Sequence, residues 1–397
     1  MKYITNVCII GAGPSGLLLS HLLSSNGIDN IVLEKMGKNQ ILSRIRAGVL
    51  DQNTTDLLIS NGIVSKSKLD MAKHEGFQLL IDGEFHRIDL SKLTGGRAVT
   101  LYPQHEVVND LLLAIGRGGG TVNFDVSVTD IEGIHSNNPI VSYYDSEFHS
   151  VECEFVIGCD GYHGICRKKI PKEMRVEHAK IYPFSWLGIL CVAPPSAKEL
   201  IYAPHPSGFA LVSTRSATLQ RMYLQCENGM NHAEWDDKKI WGELDKRLMN
   251  TEGWNLQKGE IVKKDIVQMR SFACETMRFG NLFLAGDAAH IVPPSAAKGL
   301  NLAVSDVKLL SKALTIYYSK GSPEYLNHYT IDAMENFWRA EHFSFTVTNL
   351  LHRYPNGDQM EFKQQRAALK HLVSSKYAAT AFAEHYVGIA PATEHDQ

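Results

Sequence analysis

The chain has no uninterrupted apolar run of the roughly 18 residues that a membrane-spanning helix needs, and no membrane partner is expected. Its early apolar run, Val7-Cys8-Ile9-Ile10, ends in glycine and is too short for a secretory core. It has no basic excess: 40 Lys+Arg stand against 43 Asp+Glu, a net charge of −3. Contact with phosphate backbones calls for a positive surplus, so nucleic acid is not an expected partner either. Seven cysteines, an odd number, are scattered without a C-x-x-C pair or histidines at zinc spacing. That argues against a disulfide framework or a structural metal and for reduced thiols in a cytoplasmic protein. Internal repeats and low-complexity linkers are absent too. What remains is ordinary: 397 residues, 44% hydrophobic and 21% charged, enough for two or three domains with substantial cores.

Ile4 to Ile10 ends in Gly11-Ala12-Gly13-Pro14-Ser15-Gly16, followed by the helical pattern Leu17, Leu18, Leu19, Leu22, Leu23 and a second strand, Asn30-Ile31-Val32-Leu33-Glu34. Gly11 suits a tight turn, Gly13 admits a diphosphate to the backbone, and Gly16 lets helix and strand pack closely. The helix N-terminus then offers free N–H donors to that diphosphate. Glu34, 18 residues after Gly16, is placed to accept from an adenosine ribose. Dinucleotide binding is therefore expected, although the motif does not separate FAD from NAD(P).

Two later apolar runs also stop on an acid: Phe155-Val156-Ile157-Gly158-Cys159-Asp160-Gly161, with His163 and Arg167 beyond it, and Leu282-Phe283-Leu284-Ala285-Gly286-Asp287. Strand ends at the carboxyl edge of a parallel sheet are where such folds bind ligands. Three such stations exceed the needs of one dinucleotide, but suit a flavin plus a transient nicotinamide cofactor. Residues 208–225 alternate like two strands around a turn at Ala217 to Gln220, which puts Ser213 and Arg215 on one face. A hydroxyl beside an arginine can clamp a carboxylate, yet the pattern alone favours a solvated sheet face. Arg44 and Arg46 alone likewise suit a solvated basic edge.

Together these motifs resemble the single-component flavoprotein aromatic hydroxylases, and within them the branch acting on 4-hydroxybenzoate. Leu42 to Leu50, Cys159-Asp160-Gly161-Tyr162-His163-Gly164-Ile165, Gly208-Phe209-Ala210-Leu211 through Tyr223, Ala285 to Pro294 and Glu384-His385-Tyr386-Val387-Gly388 carry the likeness, which runs from residue 4 to about 389. The resemblance implies an FAD-dependent monooxygenase that converts 4-hydroxybenzoate to 3,4-dihydroxybenzoate with NAD(P)H and O2 through a flavin C4a-hydroperoxide. 4-Aminobenzoate or 3-hydroxybenzoate is the runner-up substrate, and a NAD(P)-linked dehydrogenase is a remoter alternative. It further implies that Ser213, Arg215 and Tyr223 hold the substrate carboxylate and that Tyr202 meets the phenol. Tyr386 and His74 would continue a proton relay to water, a task suited to a histidine's pKa, and the Pro294 carbonyl would face the substrate hydroxyl edge.

On the cofactor side, the resemblance adds Ser15, Arg44, Arg46, Gln104, Asp160, Arg221, Asp287, Gly299, Leu300 and Asn301 to the glycines and Glu34. Arg46, His163 and Arg270 would receive NAD(P)H, with Lys35 and Gln40 near its 2′ position. Lys35 and Gln40 replace a usual arginine and tyrosine, leaving NADPH and NADH both open. Ser295-Ala296 replaces a usual Thr-Gly; alanine there would lose access to positive φ. Ser295 to Asn301 is expected to open a helix facing the flavin.

The expected architecture is α/β with additional α+β elements. A Rossmann-like FAD domain spans 1–178, with 271–300 returning to it and 75–103 a candidate to join the substrate sheet. Residues 179–270 form the substrate β-sheet domain, and 301–397 a helical interface region. The expected assembly is a homodimer, as the resemblance implies.

Overall fold

The computed structural model describes residues 2–43 and 48–389. Val7–Ile10 is apolar and buried at all four positions, as the centre of a parallel sheet covered on both faces requires. Asn30–Leu33 and Phe155–Gly158 flank it, with Thr121–Asn123 and Leu282–Leu284 outside them; all five run parallel. Arg278–Phe279 closes one edge antiparallel. The helix Pro14–Ser25 opens on a proline, whose fixed φ and missing N–H suit a first turn. It packs against Gln104–Arg117 and Gly299–Lys320, burying Leu17, Leu19 and Leu23 completely.

A second, mostly antiparallel sheet of eight strands runs in the order His290–Ile291, Glu260–Cys274, Glu177–Val192, Leu219–Glu227, Ala210–Ser216, Leu200–Ala203, Gly76–Ile81, Glu84–Asp89. Its two-residue period gives it two distinct faces. Leu187, Ile189, Met222, Leu224 and Val212 pack towards the helix Asp237–Arg247. Trp186, Tyr202, Leu211 and Tyr223 pack on the other side with Phe343, Val347 and Tyr386 of the C-terminal helices. Those helices are Glu324–Leu351, Gln359–Ser374 and Lys376–Val387. Two smaller sheets complete the described residues: Lys2–Ile4, Phe148–Glu152, Ile140–Tyr144 and Ser127–Glu132 form one; Val49–Leu50, Val99–Leu101 and Lys73–His74 form the other.

Three local expectations are corrected. The helix expected from Ser295 begins at Gly299; Pro294–Ala296 is a single 3-10 turn, and Ala297 follows in the left-handed region at φ 54°. Pro293 and Pro294 lack N–H donors, and the Pro294 carbonyl accepts from Ala297 N–H at 3.0 Å, so the chain turns once before a helix can propagate. Secondly, positive φ falls on Ala297, not Ala296. Thirdly, the strand after the Ala217 turn restarts at Leu219, and the register slips between Thr214 and Ser216. Such a bulge re-aims side chains, so simple alternation does not determine the direction of Arg215.

Candidate active site

The glycine loop separates demands made by the protein from one that is not. A Cβ on Gly11 (φ 105°) would lie 2.3 Å from the Cys159 carbonyl, and one on Gly16 would lie 1.9 Å from that of Gly11. A Cβ on Gly13 would meet nothing within 4 Å. The following helix has no side-chain cap and no acid in its first turn, so its free N–H groups and dipole face open space, as an anionic diphosphate requires. Glu34 is aimed across the loop by two backbone donors, Ala12 N–H at 2.7 Å and Met36 N–H at 2.9 Å. Its oxygens keep further lone pairs for a ribose. Asp160 accepts from Cys166 N–H at 2.9 Å while its other oxygen is buried without a partner. Asp287 is exposed on a turn led by Gly286 at φ 63°. The Asp306 carboxylate holds that turn, accepting from Gly286 N–H at 2.8 Å and pairing with His290 at 2.7 Å.

Cradle, uncapped helix end and under-used carboxylates together fit FAD. Ser15 is buried beside the Gly286 turn, Gln104 opens its helix, and Gly299 and Leu300 lie in the first turn of theirs. The Asn301 side chain is engaged locally: it donates to Val49 and Ala297 carbonyls at 2.9 Å and accepts from Asp51 N–H at 3.0 Å. It thereby ties three segments together. Arg44 and Arg46 lie outside the described residues.

On the sheet face below, strand register brings the polar groups together. Tyr202 pairs with Leu211, Leu211 with Tyr223, and Tyr223 with Gly188; Ser213 pairs with Arg221 in the same ladder. Ser213 is buried and its hydroxyl has no partner. Arg215 is partly buried and reaches the Tyr223 hydroxyl; desolvation pulls its pKa down, Tyr223 opposes that, and Arg221 adds to it. No carboxylate pairs with Arg215 among the described residues. Arg221 does have one, Asp265, yet its Nε and one terminal nitrogen stay buried and unpartnered. Its guanidinium stands 4.9 Å from the Tyr223 ring centre.

In the same buried cluster the hydroxyls of Tyr202 and Tyr386 are 2.7 Å apart. Burial pushes Tyr202 up to about 12 and raises Tyr386 well above the usual tyrosine value, so both stay neutral phenols at ordinary pH. His74 is half-buried, its pKa lowered by burial and Lys198 against the pull of Glu199. Its Nδ1 has no partner, and no direct hydrogen bond joins it to Tyr386 among the described residues. Pro294 is exposed, its carbonyl already engaged by Ala297.

Tyr162 organises a separate basic corner. The Arg270 guanidinium lies 4.5 Å from its ring centre and the His163 ring 4.9 Å away. Lys35 and Gln40 are exposed beyond Asn30–Leu33. Three neighbours were not anticipated. Lys298 is buried, donating to the Tyr386 carbonyl at 3.0 Å with Asp51 3.9 Å away; a lone lysine among small residues was the available signal. Trp186 stands 4.9 Å from Tyr223, ring centre to ring centre, and its indole bonds to His352, 166 residues away, a pairing that no local pattern announces.

The family model described as an FAD binding domain matches residues 4–344. The chain is 42% identical over 386 residues to the p-hydroxybenzoate hydroxylase of Acinetobacter baylyi, covering 97% of this chain and 95% of that protein. It is 22% identical over 339 residues to a probable NADH-specific resorcinol 4-hydroxylase of Rhodococcus jostii, covering 81% of this chain and 60% of that one. The solved p-nitrophenol 4-monooxygenase of Pseudomonas putida superposes with a TM-score of 0.82 at 18% identity, covering 98% of this chain and all 100% of that one; at that identity the likeness concerns the fold. No described helix is long and apolar enough to cross a membrane. An FAD-type glycine cradle and a buried cluster of tyrosines on the sheet face, in a chain so similar to a named hydroxylase, place this protein in the p-hydroxybenzoate hydroxylase family of FAD-dependent aromatic hydroxylases.

Proposed function

We propose that the chain hydroxylates 4-hydroxybenzoate: 4-hydroxybenzoate, O2, NAD(P)H and a proton give 3,4-dihydroxybenzoate, water and NAD(P)+. The observation that carries this reading is the Arg215 guanidinium, desolvated and without a carboxylate partner among the described residues, on the same strand as the buried, unpartnered Ser213 hydroxyl. Buried charges are ordinarily paired, and a benzoate carboxylate supplies the missing partner. Arg215 and Ser213 bind it with Tyr223, which puts the para substituent at Tyr202.

FAD, when bound, supplies the redox chemistry, taking hydride from NAD(P)H and activating O2. The chain's own work is to orient the ring, exclude water and remove a proton. A phenolate is attacked faster by an electrophilic oxygen than a phenol, so the substrate hydroxyl donates to Tyr202, whose own proton passes to Tyr386. Neither tyrosine holds the negative charge, because burial disfavours both phenolates. Ordered water bridges the remaining span to His74. The second lone pair of the Pro294 carbonyl faces the substrate edge. Arg221 stabilises one flavin placement with its unpartnered nitrogens, while Arg270 and His163 receive the nicotinamide diphosphate. The chain works as a cytoplasmic homodimer, with the cofactor, substrate and helical regions divided as in the sequence analysis.

The test is NAD(P)H oxidation by the FAD-loaded protein under O2, with and without 4-hydroxybenzoate, with products identified. Stimulation with stoichiometric 3,4-dihydroxybenzoate is expected. Faster turnover and hydroxylation of 4-aminobenzoate or 3-hydroxybenzoate would transfer the reading to that acid.

A further inference from the structure

His352 lies outside every group given a role so far, yet it is fully surrounded. It is the residue that follows the helix Glu324–Leu351 and is 1% exposed. Its ring stacks on Phe184 at 4.7 Å with planes 5° apart, and Phe209 and Trp186 stand 4.7 and 5.6 Å away. Nδ1 lies 2.8 Å from the Thr348 carbonyl, which can only accept, so Nδ1 carries the proton. Nε2 is then a bare acceptor, and it receives the Trp186 indole N–H at 2.6 Å. Both ring nitrogens are satisfied in a single tautomer. Burial pushes the pKa down to about 3, so protonation does not break the arrangement near neutral pH.

The indole held this way stands 5.3 Å from Phe209 and 4.9 Å from Tyr223. The same helix turn is tied to the segment carrying Pro294, for the Thr348 hydroxyl, which donates to the Ser344 carbonyl at 2.7 Å, lies 3.0 Å from the hydroxyl of Ser295. We propose that His352 is a positioning residue for the aromatic-acid pocket: its Nε2 holds the Trp186 indole, and that ring sets the wall against which Tyr223 stands. The inference rests on the reading of Ser213, Arg215 and Tyr223 as the carboxylate site. An indole N–H without an acceptor is a buried unsatisfied donor; to recover a partner the ring must turn, and the wall behind Tyr223 turns with it. His352 would then affect substrate affinity only through Trp186.

A double-mutant cycle tests this on the FAD-loaded protein, with the Kd of 4-hydroxybenzoate read from the flavin absorbance change. Thermal midpoints accompany it to confirm folding. His352→Leu removes the acceptor and Trp186→Phe removes the donor. In the Trp186 background, His352→Leu is expected to raise Kd about tenfold, the weight of one buried unsatisfied donor. In the Trp186→Phe background the same change is expected to shift Kd by less than about twofold. His352→Gln, which keeps an acceptor, should restore most of the affinity. Should the leucine variant not fold, His352→Asn, too short to reach the indole, takes its place in the cycle. Equal losses in both backgrounds, or unaltered Kd in the Trp186 background, would overturn the inference while leaving the substrate reading standing. A wild-type protein that binds no 4-hydroxybenzoate overturns both.

Discussion

Arg215 offers the sharpest test, because its two expected effects have opposite signs. Without substrate the guanidinium is desolvated, flanked by Arg221 and helped by Tyr223, with no carboxylate partner among the described residues. Arg215→Met fills similar space with an apolar chain and removes that uncompensated charge. Replacing buried charge by hydrophobic volume is often neutral or stabilising, so the substrate-free variant should unfold at the wild-type midpoint or above. Substrate binding should move the other way. A charge-assisted contact to a carboxylate contributes about 1.5–3 kcal/mol, and removing one partner of a desolvated pair reaches roughly 2–4 kcal/mol. At about 1.4 kcal/mol per factor of ten, the Kd of 4-hydroxybenzoate should rise roughly 30- to 1000-fold.

The assay pairs titration by flavin absorbance with thermal midpoints taken with and without ligand. Wild type should gain stability with ligand as RT ln(1 + [L]/Kd), about 2.7 kcal/mol at a hundredfold excess over Kd; the variant should gain almost nothing at the same concentration. Arg215→Lys retains the charge and loses the planar fork, and should fall between the two. If Arg215→Met binds within threefold of wild type, Arg215 is not in the carboxylate site. If the substrate-free variant is strongly destabilised, the guanidinium has a structural partner and the unpaired-charge reasoning fails.

Tyr202→Phe should still bind 4-hydroxybenzoate but divert NAD(P)H oxidation to hydrogen peroxide; a variant that forms 3,4-dihydroxybenzoate with wild-type coupling refutes the relay. Gly13→Ala should fold with unchanged stability, since its methyl meets no protein atom within 4 Å, yet lose FAD affinity at least tenfold as a crowded diphosphate would require; retained flavin after desalting contradicts that. Burial raises the Glu341 carboxyl to about 6, so its folded form holds a proton more tightly than its unfolded one, and stability from this group falls as pH rises from about 4.5 through 6. Glu341→Gln, still able to accept from Ser271 at 2.6 Å, should therefore be more stable by about 2 kcal/mol at pH 7.5 and indistinguishable near pH 4.5, and a pH-independent difference in denaturation midpoint rules this out.

What the sequence disclosed, and what it hid, divides by range. The glycine loop was legible because its pattern is local, although only Gly16 is held to glycine by nearby backbone, that of Gly11, while Gly11 itself meets Cys159 of a distant strand end; period and composition marked Val7–Ile10, Pro14–Ser25 and Asn30–Leu33 in order. The pairing of Tyr202 with Tyr386, 184 residues apart, has no local signature; only likeness to a family suggested it. Trp186 with His352 and Lys298 with Asp51 are pairings of the same long range, and of these four residues only the lone lysine stands out in the local sequence. Even the local alternation of Ser213 and Arg215 was incomplete, since a bulge lies between Thr214 and Ser216.

The stretch from Pro293 to Asn301 shows how a small shift in position alters the chemistry at stake. If alanine at 296 occupied a positive-φ site, the substitution would store about 1–2 kcal/mol of strain beside the flavin. The left-handed residue is instead Ala297, while Ala296 is 2% exposed and joins the cluster holding Tyr202, Tyr223 and Tyr386. Its methyl is therefore packing for that aromatic cluster, worth about the 0.8 kcal/mol of a buried carbon, and no left-handed strain sits at residue 296. The strain lies one residue later, where Ala297 both donates to the Pro294 carbonyl and offers its own carbonyl to Asn301. Two hydrogen bonds thus over-determine the one unfavourable φ in the segment, as a backbone outlier requires if it is to persist. Because Asn301 also holds Val49 and Asp51, the turn that carries Pro294 is fastened to the segment Val49 to Asp51. A change in how that segment is held would thus reach Ala297, and the buried cluster that Ala296 joins, by way of the Asn301 side chain.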